Sequence, residues 1–324
     1  MQLLTKIRRL FITSAPIKFV IRRSKNVRPP GFRGISLFDV TRFFFLNARK
    51  VGFAERASAI AFNFTMAIPP AIIFLFTLVP YLPISRAFIE QLFSLVRDVV
   101  PGRENNEGII RFLLDILNKP RTGLLSTGFI LALYFSSNAV MGMMRSFDKN
   151  YVGFLRQRGF KRRFMALRLT FILFILLFLA MIALIAQGAV LRWLGIENRT
   201  LIVLIHNVRW LLIVLLSFLS ISFIYRYATS MQKRWRLLNP GSILATFLMI
   251  IFTGVFSFYV SNFSNYNELY GSISTIIVLM ALVYINSFVL LVGFELNVSI
   301  KSLKSAADKR DVREKELEAE QKIT

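Results

Sequence analysis

Nine residues are polar, or break helical regularity, inside stretches that are otherwise apolar: Asn63, Pro69, Pro70, Ser136, Ser137, Asn138, Asn286, Glu295 and Asn297. Polar groups within membrane-spanning helices turn toward the bundle interior or a wet cavity, so this set is a candidate lining for a cavity or pathway. Glu295 is its one carboxylate. A charge there is costly unless it is hydrated or paired. Two roles stay open for it: an ion pair with Arg56, Arg145 or Arg226, or a proton- or headgroup-linked site. Pro69 and Pro70 remove the N–H groups that would reach the carbonyls of Thr65 and Met66. Backbone freed in this way is tolerated at membrane depth where protein or a wet cavity satisfies it. A packing kink and a broken, path-lining helix both fit. Asn138 and Asn286 fit helix-to-helix hydrogen bonding and cavity lining equally.

Other chemistries find few residues. The chain has no cysteine, hence no thiol nucleophile, disulfide or thiolate-held metal, and its single histidine, His206, leaves little for imidazole catalysis. Metal-dependent hydrolysis needs clustered His or carboxylate ligands. Here the acids are scattered, or crowded into the C-terminal tail, where Glu314, Glu316, Glu318 and Glu320 read as a solvated helix. No phosphate-binding loop is present. The expectation is therefore no enzyme, with no catalytic, cofactor-binding or metal-binding residue.

These side chains have to be positioned by membrane helices. Of 324 residues, 55% are hydrophobic, and the mean hydropathy is +0.58. Apolar residues in runs of about twenty mark an integral membrane protein. The expected fold is all-α and polytopic. Six spans fall near 58–81, 124–144, 166–191, 204–225, 242–260 and 272–294. Before them, 1–57 reads as a basic cytoplasmic or interfacial segment. In it, 3–11 and 36–47 have the apolar spacing of amphipathic helices lying on an anionic membrane face. Residues 83–122 read as an extracytoplasmic helical insertion with two amphipathic stripes, and 301–324 as a charged cytoplasmic tail.

The net charge of +24 invites a nucleic-acid reading. Its placement argues otherwise. The N-terminal segment, the loops after spans two and four, and the tail hold 13, 7, 4 and 7 Lys/Arg, while the intervening loops are nearly neutral. Basic residues alternating sides in this way obey the positive-inside rule for six spans with both termini cytoplasmic. Membrane lipids, with anionic headgroups on the cytoplasmic side, are the expected partners; nucleic acid is not.

Spans five and six carry the sharpest local signals. Asn239-Pro240-Gly241 starts a helix, with Asn as N-cap and Pro at the first helical position. Gly254, Ser257 and Ser261 keep one face of span five small, which permits close helix approach. In span six, Asn286, Gly293 and Asn297 share one face, and Tyr284, Phe288, Leu291 and Glu295 line roughly the opposite one. Neither face looks made for lipid alone.

Motifs spread over residues 50 to 300 resemble the YihY/BrkB family of bacterial inner-membrane proteins, some of which carry an old ribonuclease BN label. They are Glu55-Arg56-Ala57 before span one, the mid-span Pro69, Ser136-Ser137-Asn138 in span two, Asn239-Pro240-Gly241, Tyr270-Gly271-Ser272 before span six, and Gly293-Phe294-Glu295-Leu296-Asn297 at its end. Tyr284-Ile285-Asn286 departs from the more aromatic, less polar stretch expected there. The resemblance implies six spans, an inner-membrane location and a loose link to envelope integrity or lipid handling. The functional expectation is a transporter or flippase-like protein for lipid or another amphiphile. The alternative is a non-catalytic membrane scaffold whose polar residues knit helices together.

Overall fold

Long apolar runs with few helix breakers between caps give long helices here. A computed structural model describes residues 15–48, 52–81, 110, 114, 122–148, 159–193, 199–229, 235–262 and 272–323. Among these, the chain is helical throughout its regular structure: α1 Ala15–Asn26, α2 Leu37–Ala48, α3 Phe53–Leu78, α4 Thr122–Phe147, α5 Phe160–Trp193, α6 Arg199–Tyr227, α7 Pro240–Asn262 and α8 Ser272–Ile323, with a 3-10 turn over Val79–Tyr81. Helices α3 to α8 fall on the six expected spans. Among the described residues, five of them are long and apolar enough to cross a membrane, and Leu211–Tyr227 of α6 is apolar as well. The amphipathic stretch at 3–11, nearly all of the insertion at 83–122 and the loop 263–271 lie outside the described residues.

Local chemistry explains the helix starts. Ser36 caps α2: its Oγ accepts the Asp39 N–H at 3.1 Å and donates to the Asp39 carboxylate at 2.6 Å. Asn239 caps α7, with its Oδ1 accepting the Ser242 N–H at 2.8 Å. Helix α3 runs unbroken through Pro69 and Pro70, so the pair does not split it. Helix α8 also runs on without a break, from the apolar span through the charged tail to Ile323.

The helices close a ring: α3 packs on α4, α4 on α5, α5 on α6, α6 on α7, α7 on α8, and α8 returns to α3. The core sits toward the end that carries the basic segments, where Ile60, Met143, Phe147, Leu169, Tyr225, Trp235, Leu291 and Phe294 are buried together. Phe147 and Phe294 stack at 4.3 Å between centroids, and Trp235 leans on Phe294 at 5.7 Å. Such pairs contribute about 0.5–1.5 kcal/mol each. That matters in a bundle where lipid competes with side chains for apolar contact and close packing must supply the cohesion. Outside the ring, α2 lies along α8, and Phe32, Val40 and Ile300 form a second small core.

One expected approach falls elsewhere. A Cβ on Gly254 would meet nothing within 4 Å. Among the described residues, no helix therefore approaches closely at Gly254. The close crossing is at Gly241 and Gly293, where a Cβ on Gly241 would lie 2.1 Å from the Gly293 carbonyl oxygen.

Candidate functional site

The last apolar helix serves two neighbours with its two faces. On one face Glu295 is 1% exposed and meets Arg56 of α3, 6% exposed, with Nη1 donating to Oε1 at 2.7 Å. Arg56 also donates from Nε to the Ser146 carbonyl of α4 at 2.7 Å, and its guanidinium lies 5.9 Å from the Phe294 ring centroid. One guanidinium thus joins the first, second and last apolar helices. Phe53 of α3 packs on Phe288 along the same face at 5.6 Å. The other two candidate partners of Glu295 are placed elsewhere: Arg145 is exposed, and Arg226 stands over the Tyr227 ring.

The opposite face of α8 meets the start of α7. Asn297 accepts the Gly241 N–H on Oδ1 at 2.9 Å and donates from Nδ2 to Asn239 Oδ1 at 2.6 Å. The first turn of a helix has N–H groups without intrahelical partners. Asn297 and Asn239 satisfy two of them and tie the α7 N-terminus to α8. A Cβ on Gly293 would lie 2.4 Å from the Tyr225 hydroxyl and 2.5 Å from the Gly241 carbonyl oxygen. Tyr225 donates to the Leu290 carbonyl at 2.7 Å, which brings α6 into the same junction. Further along this face, Asn286 Oδ1 accepts from Thr253 of α7 at 3.4 Å.

The remaining candidates are dispersed. Asn63 donates to the Ala59 carbonyl one turn back at 2.7 Å, and its side chain packs where a Cβ on Gly142 would sit. Asn286 donates to the Leu282 carbonyl at 3.1 Å. Asn138 accepts from Arg163 of α5 at 2.5 Å, and that arginine lies over Tyr134. Ser137 is fully buried, and its hydroxyl has no hydrogen-bond partner among the described residues. Ser136 and Pro70 are half-buried and Pro69 is exposed. The structure therefore sets Glu295 and Asn297 on opposite faces of one segment of α8, in separate junctions with α3 and α7, and places Asn63 on α3 and Ser136, Ser137 and Asn138 on α4.

Sequence reasoning missed two cavities beside the α7 N-terminus. One, of about 570 Å³, has Arg33, Arg236 and Lys301 in its wall, with Asn239 and Asn297 between them. The other, of about 520 Å³, is an apolar groove between α2, α7 and α8, with Phe32, Phe44, Leu244, Phe247 and Leu296 in its wall. Pro240 lines both. Their walls come from segments some 200 residues apart, so no local pattern signals them. Among the described residues, no three His, Cys, Asp or Glu side chains come close enough to hold a metal ion.

A ring of helices with five membrane-length apolar members, joined by a buried ion pair, defines a multi-pass integral membrane protein. The family model described as "Virulence factor BrkB" matches residues 44–318, and the chain belongs to the BrkB family. Over 267 residues the chain is 30% identical to the Bacillus subtilis (strain 168) protein named "Putative ribonuclease-like protein YfkH", a match covering 78% of this chain and 92% of that protein. The "UPF0761 membrane protein IL2447" of Idiomarina loihiensis is 28% identical over 94 residues, 29% of this chain and 33% of its own. A "UPF0761 membrane protein" of Xanthomonas campestris pv. campestris (strain 8004) is 33% identical over 87 residues, 27% of this chain and 20% of its own. No solved structure matches the chain.

Proposed function

We propose that this protein is a transporter, flippase-like in character, for lipid or another amphiphile. In this reading it sits in the bacterial cytoplasmic membrane with six spans and with both termini on the basic, cytoplasmic side. One observation carries it: the apolar groove between α2, α7 and α8, at the basic end of a membrane-length bundle. Apolar, preformed concavities of about 300–1,000 Å³ are where small ligands bind. In a protein surrounded by lipid, the ligand at hand is a lipid chain. Helix α2 presents four phenylalanines within Leu37–Ala48, the composition of an interfacial helix that lies on a membrane. Inner-membrane residence and orientation rest on the basic-residue pattern.

The test is reconstitution in vesicles carrying a fluorescent phospholipid, with the outer leaflet quenched chemically. The expected result is loss of leaflet protection faster than in protein-free vesicles, under at least one of no gradient, a proton gradient or a sodium gradient. Protein-free kinetics under all three would sink the proposal.

A second reading, a non-catalytic scaffold, draws on the bonds that Asn63 and Asn286 make to carbonyls of their own helices, which need no ligand. It expects no translocation together with envelope defects on deletion. RNA cleavage is left out of the proposal because the sequence holds one histidine and no cysteine, and its acids are dispersed. Divalent-dependent cleavage by homogeneous protein, abolished by an internal point substitution, would reverse that view.

A further inference from the structure

The groove has a polar neighbour, and the pair has the form of an amphiphile. Arg33, on the turn between α1 and α2, Arg236, before α7, and Lys301, on α8, face one cavity whose wall, among the described residues, contains no Asp or Glu. Three cations with no carboxylate among them repel one another, and an anion relieves that repulsion. The cavity also takes in the start of α7, where the helix dipole favours negative charge. Pro240 lines both the groove and this cavity, and the chain divides between them residue by residue: Phe32 lines the groove and Arg33 the cavity, Leu296 the groove and Asn297 the cavity.

We propose that the two cavities form one binding site for a phospholipid with an anionic phosphate headgroup, the phosphate held by Arg33, Arg236 and Lys301 and an acyl chain lying in the groove along Phe44, Leu244 and Phe247. The proposal deepens the transporter reading by naming the headgroup chemistry, but as a binding site it does not require that transport occur.

Two observations of the strap over the cavity support it. Arg33 has φ of +53°, in the left-handed region that a non-glycine residue rarely takes, between Gly31 at +89° and Gly34 at +83°. A glycine or asparagine would be cheaper there, and strain of this kind gathers at ligand clamps. The turn is also pressed onto the helix start, since a Cβ on Gly31 would lie 2.8 Å from Pro240 Cγ. That contact sets Arg33 beside the α7 N-terminus. Nearby, Asp308 is already engaged by Lys304 at 2.8 Å. Lys301 lies past the apolar span, and burial together with the Arg33 charge disfavours its protonated form. A bound phosphate reverses the second effect. Guanidinium groups suit phosphate because they donate in a planar fork, and Lys301 adds a point charge.

The experiment is native mass spectrometry of the full-length protein in detergent, titrated separately with phosphatidylglycerol, phosphatidylcholine and glycerol 3-phosphate. Wild-type protein is expected to bind phosphatidylglycerol at least tenfold more tightly than phosphatidylcholine. Arg33→Ala with Arg236→Ala should abolish that preference, and Arg236→Lys should keep most of it. Both arginines are exposed, so the fold should tolerate their loss. Leu244→Trp, which fills the groove, should weaken both lipids at least fivefold and leave glycerol 3-phosphate unaffected. Equal binding of the two lipids by wild-type protein, or a preference that survives the double substitution, overturns the headgroup site while leaving groove binding intact. Unchanged lipid binding by Leu244→Trp overturns the lipid as occupant in favour of a free phosphate-bearing solute. If no form retains any lipid, both the site and the transporter reading fall.

Discussion

Glu295→Gln is the most informative single substitution. It removes one charge from a pair in which both members are almost fully buried and leaves the amide oxygen able to accept from Arg56 Nη1. At about 4 Å and an effective dielectric near 20, two unit charges attract by about 4 kcal/mol. Breaking a buried pair by removing one partner typically costs about 3–5 kcal/mol, because the other charge is left uncompensated. Arg56 keeps its bond to the Ser146 carbonyl and its contact with the Phe294 ring, which places the expected loss near the lower figure, about 3 kcal/mol. Arg56→Met should cost a similar amount. The double variant Arg56→Met with Glu295→Leu removes both charges for apolar groups of similar volume, and such replacements are often neutral. The assay is reversible unfolding in mixed micelles, with helicity followed against denaturing detergent, for the wild type, both singles and the double. A desolvated clamp requires a double variant more stable than either single by about 2 kcal/mol or more. Two costs that simply add, or a Glu295→Gln protein within 0.5 kcal/mol of wild type, would refute the claim that the pair is a desolvated helix clamp. If Glu295→Gln folds normally and translocation is lost, the residue has a proton- or headgroup-linked role instead.

Other substitutions probe the opposite face of α8, where it meets α7 and α6. Gly241→Ala drives a methyl onto the Gly293 carbonyl and should cost about 3 kcal/mol by thermal unfolding in detergent, whereas Gly254→Ala, facing open space, should stay within about 0.5 kcal/mol. Asn297→Leu leaves the Gly241 N–H without its partner and removes one of the two donors to Asn239 Oδ1, and should destabilise by about 1–3 kcal/mol, with faster amide exchange at the start of α7. Tyr225→Phe deletes one bond to the Leu290 carbonyl and should cost about 1 kcal/mol in the same thermal assay. Because the chain has no cysteine of its own, single cysteines at 161 and 265 can be labelled from either face of intact cells. Opposite accessibility is expected, and equal accessibility would overturn the six-span topology.

Where the sequence was informative, the reason is periodicity. Seven- and four-residue spacing places Gly293 and Asn297 on one face of any α-helix, and in the structure that face meets α7 while Glu295 and Phe288 meet α3. The start of α7 was equally legible, since Asn followed by Pro is a local capping signal. The choice among Arg56, Arg145 and Arg226 as partner of Glu295 was not. All three sit at the same end of their spans, and which one turns inward depends on helix rotation, set by packing rather than by residue type. Gly254 misled for a related reason: a small side chain permits approach but does not supply the neighbour. Helix α1 gave no signal that was recognised, and the two cavities are assembled from three segments that meet only in the folded chain.

The unbroken run of α8 has a mechanical consequence. At about 1.5 Å per residue its 52 residues make a rod about 78 Å long, one part in the bundle and the other among the charged residues of the tail. A rod without a hinge transmits torque. Whatever grips the outer part turns Glu295 against Arg56 and Asn297 against Gly241 by the same angle, so the two latches of the bundle share one handle.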